Sequence, residues 1–427
     1  MGIQTIKGAE KKTYKRDQEL TKTVMNIIDD VRTHGEAALI AYAEKFDHVK
    51  IAGVKVDSSA VTEAYKQVPP ETVQHIRFAA GRIRDFAKKQ LDCIKPLHYT
   101  SDIPGVELGH RLVPVEKCGC YIPSGRYPLP STALMSVAVA KVAGVKYAAA
   151  CSPPVAGHGT IHPAVLVAMD IAGADEIFCM GGAQAIAAYA YGAGAVPKMD
   201  LIVGPGNRFV TEAKRQVLGD VGIDSLAGPS EVLIIADETA NPVHIAIDLL
   251  AQAEHDPAAK PILVCTDRGI IEKSLAELER LLKDLPTRDV AIQSWTDNGS
   301  VFFADRIDDA VALSNELAPE HVEVQVDPRI ERDVADSLLH YGSLFVGHYA
   351  PVAFGDFVSG TNHTLPTMST ARYSNGVWVG TFIKVPFHQF VSREGCGRLS
   401  VPAMHFAETE GLYAHRDSVR FRVEEGK

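Results

Sequence analysis

The chain has 427 residues, of which 46% are hydrophobic and 22% charged, and it carries a formal net charge of −10. This composition suits a soluble globular protein of several domains; the acidic balance and the lack of any basic run exclude a broad nucleic-acid surface, and no stretch is long and apolar enough to span a bilayer. The seven cysteines, at 93, 118, 120, 151, 179, 265 and 396, include no Cys-x-x-Cys pair, which points to reduced thiols and a cytoplasmic home, and the polar Met1–Arg16 lacks a signal core.

The elements follow in order. From Glu19 to Phe46, apolar groups at Leu20, Val24, Ile27, Ile28 and Val31 have helical spacing. A second helical region runs from Ala60 to Lys89, broken by Pro69-Pro70. Then Cys118–Ile122, Tyr147–Cys151, Glu176–Cys179 and Asp200–Val203 read as strands, alternating with helices over Ser131–Val142, His162–Ile171, Ala183–Ala193 and Arg208–Val217. A second series follows Gly228-Pro229-Ser230. Its strands are Val232–Ile235, Pro261–Cys265, Val290–Ile292, Ser300–Phe303, Val322–Val326 and Ser343–Val346; its helices are Ala246–Ala253, Ile271–Leu282 and Arg306–Leu317. Such alternation predicts an α/β fold of βαβ units around parallel sheets, in two sheet domains with the N-terminal helices packed on one of them. After Val346 the pattern dissolves into loops and a polar tail.

Four pieces carry chemistry. Gln252 and His255 share one helical face. Asp356 and His363 sit in a Gly-rich stretch that can turn side chains toward one point. His415 lies in the tail. Nitrogen and oxygen ligands of this kind suit zinc, although either Gln-x-x-His or a lone His would read as ordinary polar surface by itself. Glu320-His321 offers two proton acceptors of different strength, placed at a strand end by Pro319. The turns Gly181-Gly182-Ala183-Gln184 and Gly204-Pro205-Gly206-Asn207 each join a strand to a helix, a seat for phosphate, but neither is a Gly-x-Gly-x-x-Gly fingerprint. His158 and His162 are read as a turn, and Cys118 and Cys120 as buried thiols.

These pieces, together with Cys120-Tyr121-Ile122-Pro123-Ser124-Gly125-Arg126 and Ala227-Gly228-Pro229-Ser230-Glu231, stand in the order seen in histidinol dehydrogenases, and the resemblance covers about residue 20 to His415. It implies two incomplete Rossmann-like domains in an intertwined homodimer: an N-terminal segment 1–19, a domain of 20–120 plus 231–377 carrying most metal and catalytic residues, an NAD-binding domain 121–230, and a C-terminal dimerisation tail 378–427. It implies oxidation of a primary alcohol to a carboxylate in two NAD-dependent steps through a bound aldehyde. The zinc ligands would be Gln252, His255, Asp356 and His415, the last from the partner subunit. His321 would be the base and Glu320 the group that activates water. Ser230, His363 and Glu410 would contact substrate, and Tyr121, Gln184 and Asn207 would line the NAD site.

Residues 373–385 depart from the family pattern. Thr381 stands where an Asp is expected, Val385 where an Arg is, and Trp378 is a bulky newcomer. The loss of a carboxylate and the presence of Arg126, Arg372 and Lys384 resemble the branch acting on 2,3-dihydroxypropane-1-sulfonate, with L-histidinol as the alternative substrate. Glu410, five residues before His415, favours the alternative. A non-catalytic zinc-binding relative is the remaining class, against which the intact Glu320-His321 pair argues.

Overall fold

A computed structural model describes residues 2–9, 17–125, 127–156 and 158–425. Strand β1 (Ile3–Lys7) is followed by helices α1 (Gln18–His34), α2 (Glu36–Tyr42), α3 (Ser58–Gln67) and α4 (Pro70–Cys93), then by short strands β2 (Leu97–Thr100), β3 (Val106–His110) and β4 (Val113–Pro114). The first βα series runs β5 (Lys117–Tyr121), α5 (Pro130–Ala133), a π turn over Leu134–Ala138, α6 (Val139–Ala143), β6 (Tyr147–Ser152), α7 (Pro163–Ala172), β7 (Glu176–Cys179), α8 (Gly182–Tyr191), β8 (Leu201–Val203), α9 (Arg208–Val217) and β9 (Gly222–Ile223). The second comprises β10 (Glu231–Ala236), α10 (Pro242–Ala253), β11 (Lys260–Cys265), α11 (Arg268–Leu282), α12 (Arg288–Asn298), β12 (Ser300–Ala304), α13 (Ile307–Leu317), β13 (His321–Gln325), α14 (Glu331–Ser337), β14 (Ser343–Val346) and α15 (Val352–Phe357). The chain closes with β15 (Ile383–Lys384), β16 (Phe387–Val391), α16 (Arg393–Thr409) and α17 (Tyr413–Glu424).

The first sheet has the order β7-β6-β5-β8-β9 and is parallel throughout. The second has the order β1-β12-β11-β10-β13-β14, parallel except for β1. The central strands are apolar runs because both faces are covered: every residue of β10, Glu-Val-Leu-Ile-Ile-Ala, is buried. Helices start where their caps dictate. Asn207 caps α9, accepting the N–H groups of Phe209 and Val210, and Asn241 caps α10 with Pro242 in its first turn.

The structure departs from or adds to the sequence reading at five points. Val290–Ile292 is not a strand but part of α12; β11 pairs directly with β12, so no slot remains between them, and Ser294 instead donates from its hydroxyl to the Ala259 carbonyl. The N-terminal segment contains β1, which covers the outer edge of β12. Asp356 lies in α15 rather than in a loop. The tail is largely helical; Pro402 inside α16, with Gly395 and Gly397 in its first turns, hides the helical period. The helices of 18–93 pack on the first sheet, α1 against α8 and α9 and α4 against α6 and α7, whereas the sequence grouping joined residues 20–120 to the second.

The turn after β8 is held by a buried charge. Lys214 Nζ donates to the Gly204 carbonyl and the Asp224 carboxylate, while Asp224 accepts the Gly204 N–H at 2.8 Å. Gly204 has φ +119°, and a Cβ there would lie 2.1 Å from the Tyr121 carbonyl, so the turn requires glycine. Both side chains of the ion pair are only 3% exposed. Removing one partner strands the other charge in a dry interior, so Lys214→Met is expected to lower the unfolding free energy by about 3 kcal/mol or more, read by urea denaturation. An unchanged midpoint would contradict this.

Candidate active site

A parallel βα unit sends its helix back antiparallel to its strand. The last turn of each helix therefore lies at the amino edge of the sheet. In the second sheet this brings the end of α10, with Gln252 and then His255, beside the starts of β10 and β13. Ser230 precedes β10, and Glu320 and His321 begin β13, where Val232 pairs with His321. Asp356 stands near the end of α15, on the return from β14. The sequence-predicted Ser230, Gln252, His255, Glu320, His321, Asp356 and His363 thus gather from segments far apart in the chain.

His321 is 4% exposed and Glu320 6%. The His321 Nδ1 lies 2.9 Å from the Glu231 carbonyl, so Nδ1 donates there and Nε2 is the nitrogen left to exchange a proton. That Nε2 is buried without a hydrogen-bond partner, 3.7 Å from Asp356 Oδ1. Glu320 Oε2 accepts the Glu231 N–H at 2.8 Å and stands 3.5 Å from His321 Nδ1. Burial raises the Glu320 carboxyl to about 7 despite the attraction of His321. Burial also opposes a charge on His321, but the carboxylates of Glu320 and Asp356 outweigh it and raise the imidazole to about 9. The two groups stand close enough that each shifts the other's titration.

The neighbouring imidazoles are driven the other way. Burial lowers both His255 and His363, keeping them neutral. Burial works against ionised Asp356, yet the attraction of His321 holds its carboxyl below the ordinary range. His363 Nδ1 lies 3.1 Å from the Asp356 carbonyl and its Nε2 3.3 Å from Thr132 Oγ1. Glu231, Thr132 and Lys260 are contributors not singled out from sequence; Lys260 Nζ sits 2.7 Å from Glu231 Oε1. Glu231 directly follows Ser230 in the Gly-Pro-Ser-Glu run, the only signal that could have flagged it.

The donor set fits a divalent cation. The Gln252 Nε2 is buried and without a partner among the described residues; with the amide turned over, the same place presents an oxygen donor. The neutral His255 and the Asp356 carboxylate stand near one another here. The ends of α10 and α15 add the negative pole of helix dipoles. Among the described residues, however, no group of three or more His, Cys, Asp or Glu side chains stands ready to hold a metal. Of the four ligands that the resemblance implies, Gln252, His255 and Asp356 belong to this cluster in one chain. His415 is exposed at the start of α17, which packs on α16, and Glu410 caps the end of α16, also exposed; neither is brought to the cluster within a single chain.

The first sheet presents its carboxyl edge. The chain leaves β5 for β6 and β7 and then returns to β8 on the other side, so a crevice opens between β5 and β8. Tyr121 ends β5, Asn207 follows β8, and Gln184 lies in the first turn of α8. Tyr121 Oη accepts the Gly182 N–H at 3.2 Å. This edge is closed against the other cluster: Tyr127 donates to the Glu254 carbonyl at 3.3 Å, and Asn362 donates to the Met135 carbonyl at 2.7 Å. His158 and His162 form no ligand pair; His162 caps α7 through Nδ1, and the thiols of Cys118 and Cys120 are buried.

The family model described as Histidinol dehydrogenase matches residues 10–423. A curated "Histidinol dehydrogenase homolog" from Shouchella clausii (strain KSM-K16) is 40% identical over 422 residues, covering 98% of both chains. The histidinol dehydrogenase of Methanosarcina barkeri (strain Fusaro / DSM 804) is 43% identical over 406 residues, covering 95% of this chain and 92% of its own. The chain belongs to the histidinol dehydrogenase family. The crystal structure of histidinol dehydrogenase from Elizabethkingia anophelis superposes with a TM-score of 0.91 at 36% identity, over 97% of this chain and 94% of that one. Family membership makes the chain an NAD-dependent oxidoreductase acting on CH–OH, in a family that oxidises an alcohol to an acid with transfer of four electrons. This sets aside the non-catalytic reading. The sulfopropanediol branch finds no support in the names of these relatives. Among the described residues no helix is long and apolar enough to cross a membrane.

The electrostatic account has a direct check. Glu320→Gln removes a carboxylate that raises His321, so in metal-free protein the His321 ring should titrate below the wild-type value of about 9, read by NMR against pH. A titration that does not move would contradict the pairing.

Proposed function

We propose that this chain oxidises L-histidinol to L-histidine in two NAD-dependent steps, at the cluster of Glu320, His321, Gln252, His255 and Asp356. The observation that carries the reading is the buried His321, anchored through Nδ1 to the Glu231 carbonyl with its Nε2 unpartnered, beside a carboxyl raised to about 7. A cation bound beside His321 would oppose the imidazolium, and the neutral His321 could then take the hydroxyl proton of the alcohol at Nε2 as hydride leaves for the nicotinamide. Glu320, whose carboxyl is held near neutrality, takes a proton from water so that the aldehyde is hydrated before the second hydride leaves. Gln252, His255 and Asp356 would hold a zinc ion, with His415 of the partner subunit as fourth ligand in a homodimer. Bound there, zinc supplies Lewis acidity at the alcohol oxygen. Tyr121, Gln184 and Asn207 would line the NAD site at the carboxyl edge of the first sheet, and Ser230 and His363 would contact substrate. Enclosure between the two sheets keeps the aldehyde from escaping.

The choice of L-histidinol rests on the names of the relatives and on Glu410, a carboxylate that a second copy could offer to the substrate amine. A second reading, oxidation of 2,3-dihydroxypropane-1-sulfonate to sulfolactate, is favoured by Thr381. Its hydroxyl accepts the Trp378 N–H at 3.2 Å and supplies no charge for an amine. The cations offered to a sulfonate weaken that reading. Arg372 spends its guanidinium on the carbonyls of Asn315 and Glu316, Lys384 is exposed on β15, and Arg126 lies outside the described residues.

NADH formation with each alcohol decides between them. The proposal expects two NADH per L-histidinol; turnover of the sulfonate with none of L-histidinol would reverse the order. His321→Asn should cut the first oxidation by about 100-fold or more, whereas Glu320→Gln should spare the first hydride step and slow the aldehyde step, both read in single-turnover NADH bursts. Normal first-step rates in His321→Asn, or undiminished aldehyde oxidation in Glu320→Gln, would remove the corresponding role.

A further inference from the structure

Behind the cluster lies a second buried polar layer that the proposed chemistry does not use. Alternate residues of a strand share a face, so His321, Glu323 and Gln325 of β13 point to one side while Val322, Val324 and Val326 pack in the apolar core on the other. Glu323 is 1% exposed and Gln325 3%. Burying two such side chains in a central strand is costly unless they are bonded. Glu323 Oε1 accepts the N–H of Val352, the first residue of α15, at 3.0 Å. Gln325 Nε2 donates to Glu323 Oε2 at 3.0 Å and to Asp248 Oδ2 at 3.3 Å. The Asp248 carboxyl lies beside that of Glu323, and two buried carboxyls so placed do not both ionise readily. Burial, reinforced by Asp248, drives Glu323 well above the carboxylate range.

The layer lies one helical turn behind both candidate ligands. Asp248 precedes Gln252 by four residues on α10, and Val352 precedes Asp356 by four on α15, an axial offset of about 6 Å in each helix. Three elements that each bring one group to the cluster, β13 with His321, α10 with Gln252 and α15 with Asp356, are therefore tied together at one point. Two of these elements carry the buried, unpartnered Gln252 Nε2 and His321 Nε2.

We propose that Asp248, Glu323 and Gln325 act as positioning residues: they lock the two ligand-bearing helices onto the base-bearing strand and so set the affinity of the site for a divalent cation. The inference rests on the metal site proposed above. Partners behind metal ligands fix the donors' orientation before the ion arrives, and removing them weakens binding without removing a ligand.

The test is zinc affinity by chelator competition on the full chain, with urea unfolding of the metal-free protein alongside. Glu323→Leu breaks the tie and should weaken zinc binding by about 10- to 100-fold, while Glu323→Gln, which can still accept from Val352 and donate to Asp248, should stay within about threefold of wild type. Wild-type affinity in Glu323→Leu, or equal loss in both variants, would overturn the inference. Should Glu323→Leu fail to fold, Asp248→Ala on the half-buried face of α10 carries the same expectation, and wild-type affinity there would equally overturn it. A wild-type chain that binds no zinc would instead overturn the metal reading on which the inference stands.

Discussion

A helix that follows a parallel strand must return to the edge where that strand began, and this constraint builds the candidate site. The end of α10 comes back beside the start of β10, and β13 starts next to β10 because the two strands pair with Val232 opposite His321. The site therefore sits at the amino edge of the second sheet, not at the carboxyl edge where open α/β sheets usually bind ligands. The first sheet follows the usual rule, with Tyr121 and Asn207 at its carboxyl edge. Opposed in this way, one sheet can offer a dinucleotide and the other the groups that act on an alcohol.

The electrostatics follow from the same placement. Helix ends and carboxylates converge in a volume from which water is largely excluded, so each charge is felt strongly and each proton is contested. His321 and Asp356 favour their charged forms, Glu320 is held near neutrality, and His255 and His363 are kept neutral. Such divergent behaviour among groups a few ångströms apart is a mark of chemical sites. The Glu231 backbone organises the pair at its centre, since its N–H holds Glu320 and its carbonyl orients His321.

Much of this was legible in the sequence, for identifiable reasons. Strands such as Glu176–Cys179 and helices such as Arg208–Val217 carry unbroken periodicity between strong breakers, and they form at those bounds. Pro319 before Glu320-His321 marked a strand start that lets neighbouring residues serve one site. Val290–Ile292 misled because three apolar residues fit either period, and only the direct pairing of β11 with β12 decides. The helices α16 and α17 were hidden by glycine and proline. Asp248, Thr132 and Glu323 could not be found from local pattern at all, because their importance comes from contacts between segments far apart in the chain.

The central claim is that distant donors converge on one cation, with the last supplied by a second copy. Anomalous diffraction at the zinc edge from crystals of the holoenzyme tests it most directly. The account predicts one ion at about 2.0–2.2 Å from Gln252, His255, Asp356 and His415 of the partner subunit. An ion bound elsewhere, or none in a fully active crystal, would contradict it.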